Sequence, residues 1–353
     1  MNKAGSGRIP SLDGLRAISI ALVLFGHLVG TGGFPVVPSI RIDFGHLGVT
    51  VFFVISGFLI TSLLMAEREK DGTVSLKRFY LRRVLRIFPA FYAFVAALVV
   101  ANAVGWIDLS GTDLAVAATY TANYYPYRSW DVGHLWSLSV EEQFYLLWPL
   151  VFVSLRPKPA FFACALAFFA APLVRAAMHV AFKEPSPFRD LEIFPAMADS
   201  IAIGCAMALV RPALLHRGWY LRFTGNGWLM LALVPLILVL SRFVGAYTIA
   251  DLVGSPVMLA AIAVLIESAT RHPDTWGGRV LNWRPMVFVG VLSYSLYLWQ
   301  QPFLNRHMVS FATSFPVNLA LAVACACLSY FLIERPLLGV RRKLERVPTG
   351  ITA

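Results

Sequence analysis

The chain has 353 residues, 58% of them hydrophobic and 14% charged, with a mean hydropathy of +0.69, whereas soluble domains carry nearer ~25% charged residues. Apolar runs of membrane-spanning length consume most of the chain, which leaves no room for a separate soluble domain of ordinary size. The net charge of +11 does not mark a nucleic-acid binder, because the basic residues cluster between apolar runs, as loops on the cytoplasmic side do.

The apolar runs are continuous rather than alternating, so the fold class is all-α and not an outer-membrane barrel. Ten spans can be marked, at roughly 12–31, 46–65, 87–105, 135–155, 160–180, 194–210, 226–241, 251–268, 287–304 and 316–336. The expected architecture is a polytopic membrane bundle of about ten transmembrane helices. A weaker stretch, Asp113 to Tyr125, is broken by Thr and Asn and reads as a loop dipping back into the membrane. Pro89, Pro149, Pro235 and Pro302 mark expected kinks. With both termini inside, 23 of the 30 Lys and Arg residues fall on inner segments and six on outer ones, while Arg175 lies within a span. This asymmetry predicts an N-in, C-in topology. The membrane domain is expected over 1–340, and 341–353 reads as a short basic cytoplasmic tail.

In the first span Arg16 and His27 are eleven residues apart, which returns them to nearly one helical face, roughly 16 Å apart along the axis. Asp13 lies one turn before Arg16 and can pair with it, so Asp13, Arg16, Ile20 and His27 form one stripe. An ionisable group inside a membrane is a functional candidate by default; the competing reading is polar glue between helices. In the second span Ser56 and Gly57 permit close approach of a neighbouring helix or line a substrate path. In the following loop Arg78, Arg82 and Arg86 recur every four residues, with Arg83 among them. Aligned guanidinium groups suit phosphate, and they equally suit anionic headgroups and topology setting.

The fourth span carries Glu141 and Glu142 one to two turns below its outer entrance, at the depth His27 approaches from the other side. A carboxylate beside a histidine can fix its tautomer, as a general base requires. The two cannot both face the core, and Glu142 is the preferred choice. Tyr and Trp of the ninth span, Ser293 to Pro302, fit an interfacial belt. Glu334, at the inner end of the tenth span, can pair with an arginine of the basic loop. Arg175, Asp199 and Glu267 are further polar groups in or near spans, to which no role is assigned. The four cysteines sit in apolar runs with neither zinc spacing nor a disulfide framework, and no metal site is expected.

Together these residues resemble the acyltransferase 3 family of multi-pass membrane O-acyltransferases, which includes O-antigen and exopolysaccharide acetyltransferases. The likeness runs from Leu12 to Pro336. It rests on Arg16 and His27 with ten residues between them, and on Arg83-x-x-Arg86. It rests further on Phe52-Phe53-x-x-Ser56-Gly57-Phe58, on the run Trp136 to Phe144, and on Glu334-Arg335-Pro336. Each motif is weak alone; five in order are specific.

The resemblance implies transfer of an acyl group, usually acetyl, from cytoplasmic acyl-coenzyme A to a hydroxyl of a cell-envelope or exported carbohydrate. It implies a bacterial inner-membrane location, with the lipid bilayer, acyl-CoA and the hydroxyl acceptor as partners. A hydrolase-like extracytoplasmic domain, carried by some members, would come as a separate partner protein. On this reading Arg83 and Arg86, with Arg78 and Arg82, hold the donor's phosphates, and its pantetheine arm follows the Arg16 to His27 stripe. His27 acts as general base, oriented by Glu142 or Glu141; an acyl-histidine intermediate is the alternative route. Many members carry His where this chain has Gln300, so acid–base work is not assigned there. The rival reading is a carrier or flippase for a polar or anionic solute, with Arg and His lining its path. A non-catalytic scaffold would tolerate changes at His27.

Overall fold

The computed structural model of the chain describes residues 9–36, 42–182, 186–188, 191–244 and 249–339. The basic tail expected over 341–353 lies outside the described residues, as do Lys3, Arg8, Arg41, Lys183 and Arg189 of the charge count. Among the described residues the secondary structure is helical throughout, with no strand.

The long helices are α1 (Pro10–Leu28), α2 (Phe44–Asp71) and α3 (Leu76–Ala103). The short α4 (Gly111–Ala118) and α5 (Trp130–Gly133) follow, then α6 (Leu135–Ser154), α7 (Pro157–Ala181) and α8 (Phe194–Leu214). After them come α9 (Gly218–Gly225), α10 (Gly227–Ser241), α11 (Ile249–Arg271) and α12 (Trp276–Leu281). The chain closes with α13 (Arg284–Gln300) and α14 (Val317–Ser329), the latter running on into a π-helical turn at Tyr330–Glu334.

Local chemistry sets several of these boundaries. The Asp43 carboxylate caps α2 by accepting from the His46 N–H at 2.9 Å, and Ser75 caps α3 by accepting from Arg78 N–H. Gly72, in the left-handed region at φ 71°, ends α2. The stretch expected as a loop dipping back into the membrane, Asp113 to Tyr125, holds most of α4 and a 3₁₀ turn at Ala122–Tyr124. A reciprocal Ser110–Asp113 capping box supplies the start of α4, a local signal masked by the low hydropathy of the segment. Pro89, Pro149 and Pro235 lie inside helices, whereas Pro302 falls just past the end of α13.

Among the described residues seven helices are long and apolar enough to cross a membrane: α1, α2, α3, α7, α8, α11, and α14 with its extension. An eighth is counted if α9 and α10, bent by 68° at their junction, act as one. The chain is therefore a multi-pass membrane protein. Every one of the ten expected segments falls on a helix. However, α6 carries Glu141, Glu142 and Gln143 in its middle, and α13 is 17 residues long, so neither reaches the same apolar standard.

The helices meet through small residues. A Cβ on Gly57 would overlap the Ile201 carbonyl of α8, and one on Gly204 would overlap the Val54 carbonyl of α2. The two backbones thus cross in direct contact, the packing role open to Gly57 from its sequence. Beside them the core centres on Phe91, Phe94, Phe152, Leu135 and Leu298, each fully buried.

Candidate active site

Two cavities adjoin inside the bundle. The one towards the C-terminal end of α1, the outer cavity, of about 600 Å³, is lined by His27, Asp43, His46, Arg128, Trp130 and Trp136 among others. The inner one, about 80 Å³, is lined by Arg16, Arg83, Arg86, Glu141, Glu142 and Tyr145 among others. Val49 and Tyr297 belong to both linings. The Tyr297 hydroxyl is 2.5 Å from Ser137 Oγ and donates to the His134 carbonyl at 3.0 Å, so this shared wall is pinned to the start of α6.

The Arg16 to His27 stripe therefore touches both spaces. Arg16 lines the inner cavity, with Asp13 3.7 Å away, and His27 lines the outer one. Ile20, between them, is fully buried in the core. His27 stands edge-on to Trp130, with ring centroids 5.6 Å apart. Its Nδ1 is 2.7 Å from Gln300 Oε1. A Cβ on Gly45 would stand 3.6 Å from His27 Nε2, so the missing side chain keeps that nitrogen's surroundings open.

The expected orientation of His27 by Glu142 or Glu141 is corrected here. The side chain bonded to its ring is Gln300, and both carboxylates line the inner cavity. Glu141 Oε1 accepts from Tyr145 at 2.6 Å, one turn on, and from Ser56 across on α2. These two hydroxyls turn Glu141 towards the crossing of α6 with α2. Sequence depth placed the carboxylates level with His27, but depth does not specify the azimuth at which a helix packs.

The four loop arginines divide. Arg83 lies 4.6 Å above the Tyr145 ring and 5.7 Å from that of Phe79, and with Arg86 it lines the inner cavity. Arg78 and Arg82 lie outside that lining. Arg78 pairs with Asp71 at 2.9 Å and Glu67 at 3.3 Å, and Arg82 with Glu67 at 2.9 Å. Their even spacing puts them on the α3 face that meets the acidic end of α2, so a phosphate would have to compete with carboxylates already in place. Glu334, expected against an arginine, accepts a hydrogen bond from Ser295 on α13. Of the groups without an assigned role, Arg175 and Asp199 pair with each other at 2.8 Å, and Glu267 pairs with Arg211 at 2.7 Å.

Three residues absent from the sequence-derived site stand in it. Gln300 holds His27. His134 lines the outer cavity, with its Nε2 3.1 Å from the Leu298 carbonyl and its Nδ1 buried without a partner. Trp130 packs on His27 and bonds Gln301. His134 stands two residues before the run that begins at Trp136, and Gln300 stands where the resemblance would place a histidine; these were the signals available.

The geometry is that of a histidine-lined outer chamber against an arginine-lined inner one. The model of the acyltransferase domain family matches residues 9–334. The chain belongs to the acyltransferase 3 family. It is 29% identical over 366 residues to a Bacillus subtilis protein, YrhL, provisionally named a peptidoglycan O-acetyltransferase. It is 26% identical over 365 residues to the peptidoglycan O-acetyltransferase OatA of Listeria monocytogenes. A Staphylococcus aureus protein provisionally named an O-acetyltransferase is 29% identical over 367 residues. Each match covers 93% of this chain and 55–57% of the relative, so the chain spans little more than half the length of these relatives. No solved structure matches the chain.

Proposed function

We propose that this chain is a ten-helix O-acyltransferase of a bacterial inner membrane, with both termini in the cytoplasm. It moves an acetyl group from cytoplasmic acetyl-CoA to a hydroxyl of cell-wall carbohydrate. Family membership and the relatives' names support the reaction class and the acceptor. The observation that carries the reading is the shared Val49–Tyr297 wall between the His27 chamber and the Arg83–Arg86 chamber.

On this reading Arg83 and Arg86 hold the donor's phosphates, because guanidinium forks match phosphate oxygens and stay charged. The sugar enters the outer cavity. His27 takes the proton of its hydroxyl as the oxygen attacks the thioester carbonyl. The C–S bond breaks, and the leaving thiolate takes the proton back from the imidazolium, giving the ester and free coenzyme A.

Purified protein in detergent, given acetyl-CoA and a soluble peptidoglycan fragment, should gain the fragment one acetyl mass. The His27→Ala variant should lose this activity while keeping the wild-type elution profile. Full activity in that variant would exclude His27 as the base. Absence of thioester turnover in the wild type would favour a carrier instead.

A further inference from the structure

The buried amides of Gln300 and Gln301 sit side by side at the end of α13, 0% and 3% exposed. We propose that they form a directional relay that holds His27 in its Nδ1–H tautomer, leaving Nε2, on the Gly45 side, as the basic nitrogen. The inference rests on the reading of His27 as the base.

Direction enters at the main-chain carbonyl of Trp130, which can only accept a hydrogen bond. Gln301 must turn its NH₂ group towards it, at 2.8 Å. That leaves Gln301 Oε1 facing Gln300, which must present its own NH₂, at 3.2 Å. The remaining atom of Gln300, Oε1, faces His27 Nδ1 at 2.7 Å. An amide oxygen carries no hydrogen, so Nδ1 must supply it, and a neutral imidazole then has its lone pair on Nε2. Reversing either amide would set oxygen against oxygen in a place with little water to intervene, which is costly at low dielectric.

Trp130 closes the loop. Its indole N–H donates to the main-chain carbonyl of Gln301 at 3.1 Å, and its ring makes an edge contact with His27. The relay therefore starts from the residue whose ring also packs against the imidazole at its other end. A carboxylate at position 300 would accept from Nδ1 equally well, but it would bury a negative charge. Two amides give the same direction while adding none. Gln300 and Gln301 are positioning residues, acting through His27.

The experiment uses the full chain in detergent with ¹⁵N-labelled histidine at alkaline pH, and the His27 signals are identified by their loss in His27→Gln. The wild-type ring should show a protonated Nδ1 and a bare Nε2. A wild-type ring protonated at Nε2 overturns the relay without any variant. Gln301→Met removes the direction and should give a mixture of both tautomers; an unchanged single tautomer also overturns it.

Turnover supplies a separate readout. Gln301→Met should lower kcat about tenfold, the scale of one misdirected hydrogen bond, at unchanged KM for the donor. In a Gln300→Glu background the same Gln301→Met change should have no effect on kcat, because a carboxylate accepts through either oxygen. An equal loss in both backgrounds would mean that Gln301 is merely structural. If the wild type transfers no acyl group, the proposed function fails, while the nitrogen spectra still decide the relay.

Discussion

Arg83 combines charge with packing. Its guanidinium lies over the Tyr145 ring while it faces the inner cavity, a geometry that favours a planar delocalised cation over an ammonium group. Arg83→Lys should therefore raise the donor KM about five- to tenfold at similar kcat, as expected for the loss of a cation–π contact and a bidentate fork. Arg78→Ala should leave that KM unchanged and shift stability by only about 0–1 kcal/mol, because Arg78 is half exposed and pairs with Glu67 and Asp71. Steady-state kinetics and thermal unfolding in detergent would check both. The Arg-x-x-Arg motif identified Arg83 and Arg86 in the sequence. Nothing in the spacing separated them from Arg78 and Arg82, since that separation depends on where the acidic end of α2 lies.

Among the helices, the contact of α2 with α8 depends on glycine. Gly57→Val would drive a branched side chain into the Ile201 backbone, which cannot give way as the end of a flexible side chain would. The expected result is at least about 1–3 kcal/mol of destabilisation from overpacking, seen as a lower melting temperature in detergent and poor membrane yield. All ten hydrophobic segments read from the sequence proved helical, because length and hydropathy are local properties. The helices that fall short of the apolar standard, α6 and α13, carry Glu141, Glu142, Tyr297 and Gln300, the groups that line or border the cavities. Polar residues in a spanning segment weaken its hydropathy for the same reason that they mark it as functional. α4 was missed because its start is set by a capping box and not by apolar periodicity.

At the scale of the whole molecule, the two cavities share one wall, and Tyr297 is the large side chain in it. Tyr297→Ala should join the chambers and let water reach the thioester. Donor hydrolysis without acceptor should then rise, while transfer falls; free thiol release with and without a peptidoglycan fragment measures the ratio. If hydrolysis stays at the wild-type level, the wall does not separate donor from solvent.

From the residues alone came the membrane class, the helical segments, the stripe from Arg16 to His27 and the motifs that resemble the acyltransferase 3 family. Composition and spacing carry these properties, and they survive whatever the helices do next. Only the tertiary structure decided that His27 is held by Gln300, 273 residues away, and not by Glu141 or Glu142. It also decided that Glu141 answers to Ser56 and Tyr145, and that two of four arginines are neutralised by α2. The physical reason is the same in each case. A helix specifies the faces on which its side chains stand, but the neighbour each face meets follows from the rotation and crossing of whole helices, which backbone contacts such as Gly57 on α8 select.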